Sequence, residues 1–439
     1  MMANIERLAA DIRFVGTPNH AFVRDEIIAE IEAMGLTPIL HRTTATLTDN
    51  VDARTRIFSM HNAEANASWL EWISDEDNRN LVIESNASYW ASLFPGHPWG
   101  YGGHVYVDNI LVTLPSTLPD AGSILFVAHY DTMQYTMGAA DAMAPVAAML
   151  EALRTHAQNY NLANTLHFLF IDAEEVAALG AFAFSRDFMH LINEVDMLIN
   201  LEAVGNSGGL INFQTSENPH AMVRLYNRAV PRPMGFHWGD WVYATFMPGS
   251  YTDFTVFRYY GFSGLNFAIL GGNEHYHTMS DNYENLNRNS AWHFFTTIMG
   301  LADYAANNSL AALSEPSRDA IFFPFLPGRM IVMTTITANI LIGMTFALAI
   351  TFIAYKFKAK PNKSLHITII LSVMLLVTVA LLLFLSILSY LLWIPLLAVA
   401  ISAFFIKRKW VYRSALVLSG AVALLLWTPP IYLLLLLFA

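Results

Sequence analysis

The chain has 439 residues, 55% of them hydrophobic and 13% charged, with a formal net charge of -11 at neutral pH. This length exceeds one ordinary domain, and so little charge points to a part of the chain held in lipid. The acidic balance disfavours a nucleic-acid partner, which would need a basic face; the absence of cysteine removes disulfides, thiolate metal sites and thiol nucleophiles, so any metal must be held by His and carboxylates.

Residues 1–14 read as an amphipathic helix, with Ile5, Leu8, Ile12 and Val15 at helical spacing and no charged-then-apolar export pattern. A second helix over 22–34 stops at Gly35, and the β-branched stretch 37–47 predicts a strand. From 48 to 103 the periodicity weakens. Short apolar runs at 105–114, 124–128, 166–172 and 197–201 suit buried strands, and 142–154 and 178–191 have helix length and spacing. This alternation predicts an α/β domain over residues 1–323, built on a mostly parallel twisted sheet with helices on both faces.

Beyond it, residues 324–439 are expected to form an all-α transmembrane domain. The charge-free apolar stretches 330–355, 367–388, 391–406 and 414–438 are each close to the roughly 20 helical residues that cross a bilayer. Lys356, Lys358, Lys360 and Lys363 follow the first stretch, and Lys407, Arg408, Lys409 and Arg413 precede the last. The positive-inside bias makes both loops cytoplasmic and puts the amino-terminal domain on the periplasmic, extracellular or lumenal side. Delivery to that side is expected to use an export helix upstream of residue 1, the alternative being that the first span draws the long amino-terminal domain across. With no ionisable residue inside the apolar runs, anchoring is the simpler role than transport.

Residues of ligand type stand just after several predicted strands: His129 and Asp131 after 124–128, Glu174 and Glu175 after 166–172, Glu202 after 197–201. Asp141 opens the following helix, and His277 lies in the loop Glu274-His275-Tyr276-His277-Thr278. Singly, each reads as a turn residue or a solvated charge. Jointly, they fall where an open α/β sheet builds its sites, beyond the carboxyl ends of the strands.

His129-Tyr130-Asp131-Thr132, Gly138-Ala139-Ala140-Asp141, Glu174-Glu175 followed by Leu179-Gly180, Asn200-Leu201-Glu202 and Tyr276-His277-Thr278 resemble, in order and spacing, the di-zinc aminopeptidase family. That family includes leucyl aminopeptidases, glutamate carboxypeptidases and glutaminyl cyclases. The likeness covers about residues 5–307, and the membrane-anchored branch of endoplasmic-reticulum metallopeptidases and vacuolar membrane proteases looks most similar. The resemblance implies two zinc ions bridged by Asp141, one completed by His129 and Glu202 and the other by Glu175 and His277, with three protein ligands each and room for water. It makes Glu174 the general base, has Asp131 fix the tautomer of His129, and offers Tyr276 as a donor to the substrate. The implied activity is exopeptidase cleavage of small peptides from the amino end. Glutaminyl cyclisation and non-catalytic peptide binding are the alternatives. Two departures stand out: Glu202 replaces the Asp of the better-known members, and Phe254 in Ser250-Tyr251-Thr252-Asp253-Phe254 takes the place of a His.

Overall fold

A computed structural model describes residues 1–46, 104–118, 121–158, 161–246, 252–314, 317–326, 328–341 and 344. Helices α1 (Met2–Leu8) and α2 (Pro18–Ala33) precede strands β1 (Ile39–Thr46), β2 (His104–Leu114) and β3 (Ser123–His129). Helix α3 (Ala144–His156) leads to β4 (Thr165–Ile171), and α4 (Leu179–Asp187) to β5 (Met197–Ala203) and β6 (Ile211–Thr215). Then come α5 (His220–Ala229), α6 (Gly239–Phe246), α7 (Asp253–Tyr260), β7 (Gly264–Ile269) and α8 (Arg288–Asn307), followed by β8 (Ala320–Leu326) and β9 (Arg329–Thr334).

Strands β1 to β7 form one sheet in the order β1-β2-β4-β3-β5-β7-β6. The expectation of a mostly parallel sheet needs correction. The four inner strands β4-β3-β5-β7 run parallel, but β1/β2, β2/β4 and β6/β7 pair antiparallel, so the sheet is mixed. The reason lies in the connections: antiparallel edges need no helical crossover, whereas the inner strands are separated in sequence by helices. Helices do cover both faces. On one, α1, α2, α3, α5 and α8 bury Ile27, Leu150, Phe294 and Ile298 against Phe126 and Phe168, whose rings stack at 5.2 Å. On the other, α4 and α7 bury Phe182, Phe184 and Phe257 against Leu125, Val127 and Leu169. A fully buried Phe or Leu contributes about 2 kcal/mol, so this two-sided burial fixes the inner strands and hence the rim beyond their carboxyl ends.

Local chemistry moves the expected boundaries. Helix α2 starts at Pro18, earlier than the apolar spacing alone predicts, because the Thr17 side chain accepts from the His20 N–H and Pro suits the first turn. The first helix ends at Leu8 and not at residue 14: Arg13 is fully buried, its guanidinium donating to the carbonyls of Leu8, Tyr130, Met137 and Gly138, which a continuing helix would not allow.

Residues 330–334 of the first expected span form strand β9, paired with β8 and tied to α5 through Asn227, which bonds both the N–H and the C=O of Met330. Helix begins at 335, after the Thr335 N–H is bonded by Asp319 O. The boundary expected between 323 and 324 falls inside β8. Ile336, Ile340, Leu341 and Met344 are exposed. Among the described residues no helix is long and apolar enough to cross a membrane; the remainder of the first stretch and the other three lie outside the described residues.

Candidate active site

Five of the expected ligands meet at the rim. The Nε2 of His129, at the end of β3, is 3.2 Å from Asp141 Oδ1 and 3.5 Å from Glu202 Oε2. The Nε2 of His277 is 3.4 Å from Asp141 Oδ2 and 3.1 Å from Glu175 Oε2. Asp141 therefore faces one imidazole with each oxygen. In both groups, His129 with Asp141 and Glu202, and Asp141 with Glu175 and His277, the donor atoms lie within 4.8 Å of one another. Glu174 also falls in reach, with His129 and Glu175.

Buried polar contacts hold this cage. Asp131 is fully buried; its Oδ1 accepts from the Glu174 N–H at 3.1 Å and its Oδ2 from the Glu175 N–H at 3.2 Å, while Oδ1 also lies 3.4 Å from His129 Nδ1. The resemblance assigned Asp131 to the tautomer of His129; it also caps the loop carrying Glu174 and Glu175. That loop needs holding, since Ala173 has φ 56° and Ala177 and Ala178 are left-handed too, as is His277 at 55°. Such backbone costs about 1 kcal/mol or more per residue and gathers at functional sites. Gly180 lets α4 approach: a Cβ there would stand 1.9 Å from the Asp172 carbonyl oxygen. Tyr276 is half-buried and stacks on His277, ring centroids 3.7 Å apart.

Three further residues carry the site without any signal in the apolar pattern. Asp281 accepts from the Ala140 and Asp141 N–H groups at 2.9 and 3.1 Å and so fixes the turn that presents Asp141. Arg13 ties that turn down from behind through its carbonyl contacts. Asp253 is fully buried beside the cage, and neither of its carboxylate oxygens has a hydrogen-bond partner. Its neighbour Phe254, where the resemblance led to expect a His, packs into the core with Phe257 and contributes no donor. Ser250 and Tyr251 lie outside the described residues.

Charge interactions follow the geometry. Burial opposes a proton on His129, but Asp131, Asp141 and Glu202 outweigh it and raise its pKa well above the ordinary value. Burial likewise opposes, and Glu175 and Asp141 outweigh, at His277, which is carried up to about 10. Asp141 is held down at about 2 against its own burial by the two imidazoles. Glu174 goes the other way: burial, then the charge of Glu202, lifts it well above the carboxylate range.

The donor set fits zinc. It consists of imidazole nitrogens and carboxylate oxygens, and His277 Nε2 and Glu175 Oε1 are buried atoms without a hydrogen-bond partner, as expected of groups aimed at a cation.

The chain is similar to several known proteins. Residues 109–302 match the profile of peptidase family M28. The vacuolar membrane protease of Candida glabrata is 29% identical over 229 residues, 52% of this chain and 24% of that protein. That of Saccharomyces cerevisiae is 30% identical over 232 residues, 52% of this chain and 23% of that protein. The chain thus spans about a quarter of the length of the curated relatives it matches. Among solved structures, an aminopeptidase from Aneurinibacillus sp. strain AM-1 covers 72% of this chain and 97% of its own, at 14% identity and a TM-score of 0.49. Porphyromonas gingivalis glutaminyl cyclase covers 69% and 96%, at 17% identity and a TM-score of 0.45. The matched residues 109–302 contain every one of the expected ligands.

Proposed function

We infer that the protein is a membrane-anchored metallopeptidase that binds two zinc ions and removes residues from the amino end of small peptides. The observation that carries this reading is Asp141, which turns one oxygen to His129 and the other to His277. His129, Asp141 and Glu202 would hold one ion; Asp141, Glu175 and His277 would hold the other. When bound, such a pair polarises a peptide carbonyl and acidifies a water. Glu174 takes the proton of the attacking water and returns it to the leaving amine, a role suited to a carboxylate whose pKa is raised by burial. Asp131 keeps Glu174 in place through its backbone N–H, and the hydroxyl of Tyr276 donates to the carbonyl oxygen as charge develops there.

Anchoring is supported by the charge-free apolar stretches after residue 330, by the exposed Ile336, Ile340, Leu341 and Met344, and by the fungal relatives, named membrane proteases. The catalytic domain then faces away from the cytoplasm, because the basic clusters that follow the first and third apolar stretches mark the cytoplasmic side.

Zinc analysis combined with a panel of short peptides tests the proposal. The parent should bind two zinc ions and shorten peptides from the amino end, while Glu174→Gln should bind zinc alike and lose about 10²-fold or more of the cleavage rate. Undiminished cleavage by Glu174→Gln would refute the mechanism. A single zinc with cyclisation of amino-terminal glutamine would replace it with the cyclase reading.

A further inference from the structure

Glu202 stands on β5 two residues after Asn200, on the same face, and Asn200 Nδ2 donates to Glu202 Oε1 at 3.0 Å. Asn200 lies directly across from Asn266 of β7, and Asn266 is paired in register with Gln214 of β6. The three amides are buried and joined across the strands: Asn200 Nδ2 donates to Asn266 Oδ1 at 3.0 Å, and Asn266 Nδ2 to Gln214 Oε1 at 2.7 Å. At the outer end Gln214 Nε2 donates to Asp240 Oδ1 at 2.8 Å, and the other oxygen of Asp240 pairs with Arg258 at 2.9 Å.

Each amide has a donor end and an acceptor end, so one fixed group orients the whole row. Asp240 can only accept. Gln214 must therefore turn its NH₂ outward and its oxygen to Asn266, which must then give its NH₂ to Gln214 and its oxygen to Asn200. Asn200 is left to serve Asn266 and Glu202 with its NH₂ alone. The cost is visible: Asn200 Oδ1 is buried without a partner. Reversed, Asn200 would set an oxygen against both Asn266 Oδ1 and Glu202 Oε1.

We propose that Asp240, Gln214, Asn266 and Asn200 are positioning residues for the metal ligand Glu202, occupying its Oε1 so that Oε2, the oxygen beside His129, is the one offered to the cation. This rests on the reading of Glu202 as a zinc ligand. It also accounts for a Glu at a position where a shorter Asp would need no such tether: the extra methylene gives the carboxylate freedom, and the row of amides removes it. Support that orients a ligand in this way changes metal affinity about 10- to 100-fold when lost.

The test is stepwise zinc titration of the full-length protein in detergent against a competing chelator, alongside the visible spectrum of the cobalt(II) form. Asp240→Asn, isosteric and remote from the cage, frees the row to reverse; it should weaken one zinc step about 10-fold or more, leave the other unchanged and alter the cobalt spectrum. Asn266→Leu should do the same by cutting the row, Asp240→Glu should restore the parent behaviour, and Arg258→Met, which keeps the acceptor, should leave both steps intact. If Glu202→Ala loses one zinc but Asp240→Asn titrates like the parent, the positioning role is overturned and the zinc reading stands. If Glu202→Ala retains both ions, the assignment of Glu202 itself falls, and the positioning role with it.

Discussion

Replacing Asp131 by Asn changes one oxygen into an NH₂ at the centre of the site. In the parent its two oxygens accept from the Glu174 and Glu175 N–H groups at 3.1 and 3.2 Å, and the side chain is fully buried. A hydrogen bond to a charged group is worth about 1.5–3 kcal/mol, and a buried donor left without a partner costs a similar amount. Asn keeps one acceptor and turns a donor toward the second N–H, so about 3–4 kcal/mol is lost. Relaxation of Ala173 from φ 56° returns about 1 kcal/mol. The net expectation is about 2–3 kcal/mol, shared between folding and the placement of Glu175, which corresponds to about 30- to 150-fold in zinc affinity if expressed wholly there. Urea unfolding of the zinc-free protein and chelator competition of the loaded one measure the two shares. If neither stability nor zinc affinity changes by as much as about 1 kcal/mol, Asp131 does not hold the Glu174–Glu175 loop.

Gly180→Ala should destabilise the fold by about 2–3 kcal/mol, because its Cβ would stand 1.9 Å from the Asp172 carbonyl oxygen and 2.8 Å from Asn109 Oδ1, and α4 must back away from a packed wall; an unchanged melting temperature would show that the helix accommodates it freely. His167 should make the fold acid-sensitive. Burial depresses its pKa to about 4, below the unfolded value of 6.5, so between those values the unfolded chain binds a proton that the native state refuses. Stability therefore falls as pH drops from 6.5 toward 4, by up to about 3 kcal/mol. His167→Gln should lose less stability than the parent between pH 7 and pH 4.5 in urea titrations, and equal losses in both would dismiss His167 as the cause.

Strands β3 to β5 were legible because each is a short, mainly apolar stretch buried almost throughout, and the ligands were legible because they stand where the apolar runs stop. Strands β6 and β7 escaped the same reading for a physical reason: Asn212 and Gln214 break up the first, Asn266 the second, and all three are buried. These are largely the amides that orient Glu202, so the feature that tethers the ligand also hides the strands that carry it. Phe254 misled in the opposite sense. It stands in the sequence as a departure from a His, whereas the structure places it in the core and leaves its neighbour Asp253 within charge interaction of Glu202 and His129.

The acids of the site differ in a way no residue pattern records. Asp131 and Asp281 each spend both oxygens on backbone N–H groups. Saturated in this way, they shape the two loops and have little left for a cation. Asp141 turns both oxygens to imidazoles, Glu175 keeps Oε1 without a partner, and Glu202 is bonded at Oε1 but leaves Oε2 facing His129. An acid can act as a ligand only where the backbone has not already claimed it, so the division between scaffold and ligand is made by the placement of N–H groups. Those placements depend on the turns at Gly138 and Ala173 and on the guanidinium of Arg13, contacts between segments more than a hundred residues apart. Composition and spacing bring the carboxylates to the rim; only the folded backbone decides which of them remain open to metal.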